Sequence, residues 1–412
     1  MKAVSLSSQH HLSGTRKPRA LDRFAERMVR SQLEQLDTGR VTLVYGDRKD
    51  EYGGGEGPAA TITVREADFW SDVAFGGSIG AAEAYMHGAW DCDDLVTLVR
   101  LLLRNRQVLD GMEGGAARVT APIQKAFHWV NRNTRDGARR NISAHYDLGN
   151  EFFALWLDET MMYSSAIFAR PDMPLHEAQV ARLDAICQRL DLQPGEHLVE
   201  IGTGWGGLAL HAARNYGVRV TTTTISKEQH KLAEERIAAA GLEDRIELLL
   251  EDYRDLEGEY DKLVSIEMIE AIGWRQYDTY FKKCGELLKP GGRLLIQAIT
   301  IAETRYEEAK RSVDFIQRYI FPGSNLPSVK AMVNAIAGQS DMMVTGLHDI
   351  GLDYALTLNH WRRRFLDRLD EVRDLGYSES FIRMWEYYLC YCEGGFEERA
   401  ISDVHLLAER PA

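Results

Sequence analysis

Val199-Glu200-Ile201-Gly202-Thr203-Gly204-Trp205-Gly206-Gly207 is the stretch whose reading decides the fold. Residues 197–201 form a short apolar run, and an amphipathic segment over 207–215 follows, closed by Gly217 as the glycine after a helix end. Glycines 202, 204 and 206 directly after a strand and before a helix let a ligand approach the backbone closely. Gly207 also completes a GxGxxG register from Gly202, so spacing alone does not separate a dinucleotide from another adenosine cofactor.

Outward from this loop, helix and strand periods alternate. Residues 175–192 read as an amphipathic helix ending before Pro194. Strands are expected at 219–224, 246–250, 262–266 and 293–299, and helices at 227–240 and 277–288. This order predicts an α/β domain with a mostly parallel sheet. The N-terminal part differs. Residues 39–45 and 60–66 alternate around a glycine-rich turn at 53–57 and read as a β-hairpin or meander, and 80–87 and 93–104 read as helices. We therefore expect an α+β domain over residues 1–130 and a second domain over 131–412.

The chain has 412 residues, 45% hydrophobic and 27% charged, which is globular composition with length for a large core. Its net charge of -13 argues against nucleic acid as a partner. Positive charge is nevertheless concentrated. The first forty residues carry Lys2, Arg16, Lys17, Arg19, Arg23, Arg27, Arg30 and Arg40 against four acids, and Arg118, Lys125, Arg132, Arg135, Arg139 and Arg140 crowd the segment 111–140. That segment reads either as a solvated linker or as a basic surface for anionic lipid. The polar N-terminus lacks the apolar core of a secretory signal, and Leu95 to Leu103, interrupted by Arg100, is too short for a bilayer. The five cysteines are read as reduced thiols in a cytoplasmic protein; Cys390 and Cys392 lack a CxxC spacing, and no metal is expected.

Residues 199–207 resemble motif I of class I S-adenosylmethionine (SAM) methyltransferases, and the tryptophan after the second glycine narrows the match. From Asn141 to Phe396 the chain resembles the cyclopropane fatty acid synthase family, including the mycolic acid cyclopropane synthases. The matching residues include His145-Tyr146-Asp147, Tyr163-Ser164, Thr224-Ile225-Ser226-Lys227-Glu228-Gln229, Glu251-Asp252-Tyr253, Glu270, Ile320-Phe321-Pro322-Gly323 and Tyr354. The first third, through Glu83-Ala84-Tyr85-Met86, Gly88 and Trp90, is similar to the extra domain of the long bacterial synthases. The resemblance implies a Rossmann-like sheet with helical insertions and SAM as cofactor. It places Tyr146, Tyr163, Ser164 and the backbones of Gly202 and Gly204 at the methionine end, Thr224 and Gln229 at the ribose, and Asp252 with Tyr253 at the adenine, with Glu200 and Ile225 in the same lining. Ser226 with Gln229 also fits a capping box, Asp252 a turn cap, and Tyr253 edge packing.

For catalysis the resemblance implies methyl transfer to a cis double bond of an unsaturated phospholipid acyl chain. A bound bicarbonate would then remove a proton to close a cyclopropane. Its holders would be Glu270, Tyr354, and the backbones of Ser165 and Ile299, with Gln297 where the family usually has histidine. Ser165 stands for the usual cysteine and Ala271 for a second usual histidine. Gln297 keeps a donor and an acceptor but cannot become cationic. Glu267 is read as a strand-end group beside SAM that takes no part in proton chemistry. Tyr388 is expected in the wall of an acyl tunnel. A methyl-branched or methylene product on the same substrate, a small-molecule methyltransferase, and a non-catalytic lipid-binding homologue remain as alternatives. The expected partners are membrane phospholipid, met peripherally at the inner face, and a second copy in a homodimer.

Overall fold

The computed structural model describes residues 20–114 and 148–412. Tyr146, residues 1–19 and the basic residues from Arg118 to Arg140 lie outside the described residues. The chain divides into two compact units, residues 1–120 and 121–412.

In the first unit, helix Ala20–Leu33 precedes β1 (Arg40–Tyr45), β2 (Arg48–Gly53) and β3 (Ala59–Val64). Helix Asp68–Met86, β4 (Trp90–Cys92) and helices Leu95–Arg104 and Arg106–Gly114 follow. The sheet order is β2-β1-β3-β4. The hairpin or meander reading of 39–45 with 60–66 is corrected here, because β1 and β3 pair in parallel, Arg40 opposite Ala59 through Tyr45 opposite Val64. The hairpin partner of β1 is β2, whose sequence Arg-Lys-Asp-Glu-Tyr-Gly offers no apolar alternation. The chain then passes the start of β1 and returns on its other side. Gly39 permits this passage: its φ is +78°, and a Cβ there would meet the carbonyl oxygen of Pro58 at 2.3 Å. The helix expected from residue 80 begins at Asp68 and is interrupted at Gly77, whose φ of 59° and ψ of -142° are not helical.

The second unit holds the parallel sheet. Its strands are β5 (His197–Ile201), β6 (Arg219–Thr223), β7 (Ile246–Leu249), β8 (Tyr260–Ile266), β9 (Leu288–Ile301), β10 (Met343–Asp349) and β11 (Ile401–Glu409). The order is β10-β11-β9-β8-β5-β6-β7. Strands β5 to β9 pair in parallel, and β11 alone runs against both of its neighbours. Side chains alternate between two cores, as a strand's period of two requires. Val199, Leu294 and Ile296 pack with helices Tyr277–Leu287 and Val329–Gln339. Leu198 and Leu295 pack with helices Leu175–Arg189 and Gly207–Tyr216 on the other face. From β5 the chain adds strands first on one side and then, with β8, on the other. That reversal opens a crevice at the carboxyl ends of β5 and β8, where open α/β sheets bind ligands. Among the described residues, no helix is long and apolar enough to cross a membrane.

Candidate active site

The glycine loop lies at that crevice. Gly202, Gly204 and Gly206 hold φ values of +102°, +52° and +83°. The N–H groups of Gly202 and Thr203 both donate to Thr223 O at 3.0 Å, which fixes the loop to the end of β6. A buried hydroxyl chain reinforces the junction: Thr203 Oγ1 meets Thr222 Oγ1 at 2.7 Å, and Thr222 Oγ1 donates to Glu200 Oε2 at 2.6 Å. Burial pushes the Glu200 carboxyl up to about 8, against the opposing pull of the Thr222 hydroxyl and of Arg182.

The glycines have different duties. A Cβ on Gly204 would meet no atom within 4 Å, so the backbone there faces open space that fits a cofactor. A Cβ on Gly207 would lie 2.4 Å from Met162 Sδ, so that glycine serves close packing. Trp205 is buried with Phe153 at 5.0 Å, and its indole N–H donates to Asn150 Oδ1 at 2.7 Å.

Thr224, Ile225 and Gln229 follow β6. Thr224 Oγ1 donates to Gln229 Oε1 at 2.9 Å, while the Gln229 N–H donates to Ser226 Oγ at 3.3 Å. The backbone of Gln229 thus completes the helix cap and its side chain joins Thr224 at the crevice. Asp252 caps a turn, as its alternative reading had it, accepting from Arg254 N–H at 3.1 Å and Arg254 Nε at 2.7 Å. The hydroxyl of Tyr253 is buried without a hydrogen-bond partner, and its ring meets Tyr280 edge-on at 5.4 Å.

The second constellation lies at the ends of β8, β9 and β11. Glu267, just past β8, holds a φ of +46°, and its N–H donates to Gln297 O at 2.8 Å. Its Oε1 accepts from Ser165 N–H at 2.9 Å and from Gln297 Nε2 at 2.7 Å, and its Oε2 accepts from Tyr354 OH at 2.8 Å. Gln297 Nε2 also donates to Asp403 Oδ2 at 2.9 Å. His405 lies 3.1 Å from Gln297 Oε1 through Nε2, and its Nδ1 faces Arg189 Nη1. Arg189 can only donate, so Nδ1 accepts and Nε2 carries the proton. Burial and the two arginines nearby hold His405 well below the usual histidine range. Glu270 instead accepts from Ile299 N–H, leaving its Oε2 buried without a hydrogen-bond partner. Burial, then the charge of Glu267, pushes Glu270 up to about 8. Arg182, wholly buried, donates to Ser164 Oγ at 3.0 Å and Gln179 Oε1 at 2.8 Å; burial lowers it to about 10, so it stays charged.

This geometry corrects the expected bicarbonate site. Ser165 N–H, Gln297 and Tyr354 do converge, but on the carboxylate of Glu267. An added anion would find those donors engaged and an acidic side chain in its place, so the residues present do not fit bicarbonate. Glu270 and Ile299 meet each other rather than a shared ion.

An aromatic wall adjoins the cluster. Tyr354 stacks on Phe396 at 4.4 Å and meets Trp361 edge-on at 6.0 Å. Trp361 meets Tyr163 at 5.4 Å, and Tyr163 OH lies 2.8 Å from Tyr388 OH. Tyr388 therefore stands in this wall, with Phe321 at 6.3 Å.

The family model described as mycolic acid cyclopropane synthetase matches residues 133–406. The chain belongs to this family. It is 38% identical over 383 residues to the tuberculostearic acid methyltransferase UfaA1 of Mycobacterium tuberculosis, covering 90% of this chain and 88% of that protein. It is 39% identical over 350 residues to the cyclopropane-fatty-acyl-phospholipid synthase of Escherichia coli, covering 83% and 86%. Among solved structures it resembles mycolic acid cyclopropane synthase CmaA1 complexed with SAH and CTAB, at a TM-score of 0.61 and 30% identity over 66% of this chain and 98% of that one. Family membership fixes the class I SAM methyltransferase fold and supports SAM as cofactor.

Within this family framework, sequence reasoning missed Asp403, His405 and Arg182 and placed Glu267 apart from proton chemistry. Glu267 carried a signal in its spacing of three from Glu270. Asp403 and His405 carried none, because they reach the site only through the pairing of β11 with β9, opposite Ile299 and Gln297.

Proposed function

We propose that this chain is a SAM-dependent C-methyltransferase that adds a methylene to the cis double bond of unsaturated phospholipid acyl chains, giving a cyclopropane. The observation that carries the reading is one residue in two settings: Tyr354 hydrogen-bonds a buried carboxylate cluster and stacks in an aromatic wall. An isolated alkene is a weak nucleophile, and its methylation leaves a carbocation. SAM, when bound, supplies the electrophilic methyl group. Gly204 and the Thr224–Gln229 pair would hold it, and aromatic faces suit the cation that develops on the lipid. A proton must then leave, which a carboxylate beside the wall can accept. The same cluster argues against a module without chemistry.

The likeness to the tuberculostearic acid methyltransferase favours a second reading, in which the same substrate yields a methyl-branched or methylene product. Incubation with SAM and liposomes of cis-unsaturated phospholipid, followed by mass spectrometry of the acyl chains, tests both. A gain of ~14 Da is the expected outcome, and equal gain on saturated lipid would overturn the alkene chemistry. Proton NMR of the product separates ring from branch.

Peripheral membrane contact belongs to the same proposal. Helix Ala20–Leu33 exposes Leu21 and Phe24, each 54% accessible, beside exposed Arg23 and Arg27. Apolar side chains flanked by arginines suit an anionic lipid surface. Arg30 is turned inward to Asp50 and Tyr52 and takes no part. On this reading residues 1–130 dock at the inner face of the membrane and pair in a homodimer, and residues 131–412 carry the chemistry.

A further inference from the structure

We infer that Glu267 is the base of this reaction, a carboxylate built into the chain where the family resemblance implied a dissolved bicarbonate. The inference rests on the proposed methylation of an alkene and names the group that completes it.

Three donors from three separate segments aim at this one side chain: Ser165 N–H, Gln297 Nε2 and Tyr354 OH. Such convergence stabilises a charged carboxylate more than a neutral one. Its neighbours are less well served. Asp403 accepts from Gln297 and leaves Oδ1 buried without a hydrogen-bond partner, and Glu270 accepts from Ile299 and leaves Oε2 likewise. Burial raises all three carboxyls. The buried guanidinium of Arg182 supplies one positive charge to the cluster, and its pull acts on Glu267. His405 is neutral and the Tyr354 phenol stays protonated. A positive charge nearby favours an ionised carboxyl here, and the charge belongs on the carboxylate with the most donors. Glu270 and Asp403 then keep their protons, and Glu267 is ionised.

Position agrees with this assignment. Glu270 and Asp403 are buried as whole residues, whereas Glu267, at the strand end, keeps part of its residue surface exposed. Each carboxylate oxygen carries two lone pairs. Oε1 uses both on Ser165 and Gln297, and Oε2 uses one on Tyr354. Asp403 hydrogen-bonds the same carboxylate, a further contact that favours its charged form.

The step balances without a further reactant. The methylated lipid carries one positive charge on a chain carbon. Glu267 Oε2 forms an O–H bond with a hydrogen of the new methyl group. The pair of the broken C–H bond closes onto the cationic carbon and completes the ring. Glu267 is left neutral and returns its proton to water, so each turnover releases one proton.

The test compares the wild-type chain with Glu267→Gln and Glu267→Gly on unsaturated liposomes, in buffer freed of carbon dioxide and with bicarbonate added back. Wild-type rate is expected to be indifferent to bicarbonate. Glu267→Gln should lose turnover by ~100-fold or more while its SAM titration is unchanged. Glu267→Gly sits without strain at this φ and frees the three donors, so added bicarbonate should restore its turnover. A wild-type rate that collapses without bicarbonate would overturn the inference, as would normal turnover in Glu267→Gln or in bicarbonate-free Glu267→Gly. Infrared difference spectra of wild type against Glu267→Gln need no lipid. Loss of an ionised carboxylate band at neutral pH supports the assignment, and loss of a protonated acid band refutes it. A wild-type chain that shows the ionised band but leaves liposomes unmethylated would count against the substrate reading instead.

Discussion

Tyr354 shows how one side chain serves two demands. Its hydroxyl holds Glu267 Oε2 at 2.8 Å and its ring lies on Phe396. Tyr354→Phe keeps the ring and deletes the donor. A hydrogen bond to a charged group contributes about 1.5–3 kcal/mol, so turnover should fall roughly 10- to 100-fold with SAM affinity intact. Steady-state kinetics beside a SAM titration would check this, and equal loss of both would place Tyr354 in cofactor binding. At this scale the sequence was readable where local spacing carries the message. Gly202 and Gly204 follow β5 and Thr224 and Gln229 follow β6, the element order that the periodicity predicted. The partners of Glu267 were not legible, because nothing local to β8 says that Ser165, Gln297 and Tyr354, from distant segments, will all turn toward it.

At the scale of elements, the β5 turn separates two kinds of glycine. Gly204→Val places its side chain in open space, so folding should suffer only the strain of a branched residue at positive φ, about 1–3 kcal/mol, while SAM binding is lost. Gly207→Ala drives a methyl into Met162 and should instead lower the melting temperature. Calorimetry of both variants with and without SAM distinguishes the two roles. The β5–β6 junction also carries a pH signature. Glu200 rises from an ordinary 4.5 to about 8, so the folded chain holds a proton there that the unfolded chain has lost. Stability contributed at this site therefore declines as pH climbs through that window and is level above it. Glu200→Gln should flatten that slope and be more stable than wild type at pH near 8, as thermal melts across pH would show. Helix Lys227–Ala240 was legible to the residue because capping and periodicity are local. β2 was not, since a charged edge strand shows no hydrophobic period.

For the molecule as a whole, the acidic net charge conceals an amphipathic helix at residues 20–33 that exposes Arg23 and Arg27 beside Leu21 and Phe24. The double variant Leu21→Asp, Phe24→Asp should sediment less with anionic vesicles and raise KM for vesicle-borne lipid, while kcat and SAM affinity hold. Unchanged sedimentation would overturn membrane docking through this helix. The two-part organisation shows in composition and pattern along the chain. Which distant strands become neighbours does not, because register between them is set by tertiary packing.

The pairing of β11 has a consequence in time. Strand β9 meets β11 through partners about a hundred positions apart, Ile301 with Ile401, and β10 joins the sheet only through β11. Contacts at that separation close late, after the nearer β5–β8 layers have nucleated. Asp403 and His405 arrive with them. In refolding from denaturant, the helical circular dichroism signal should therefore recover before methyl transfer does. An immature chain would already have a cofactor crevice but not yet the Gln297 contacts that β11 brings, so methyl transfer would wait for the last strand.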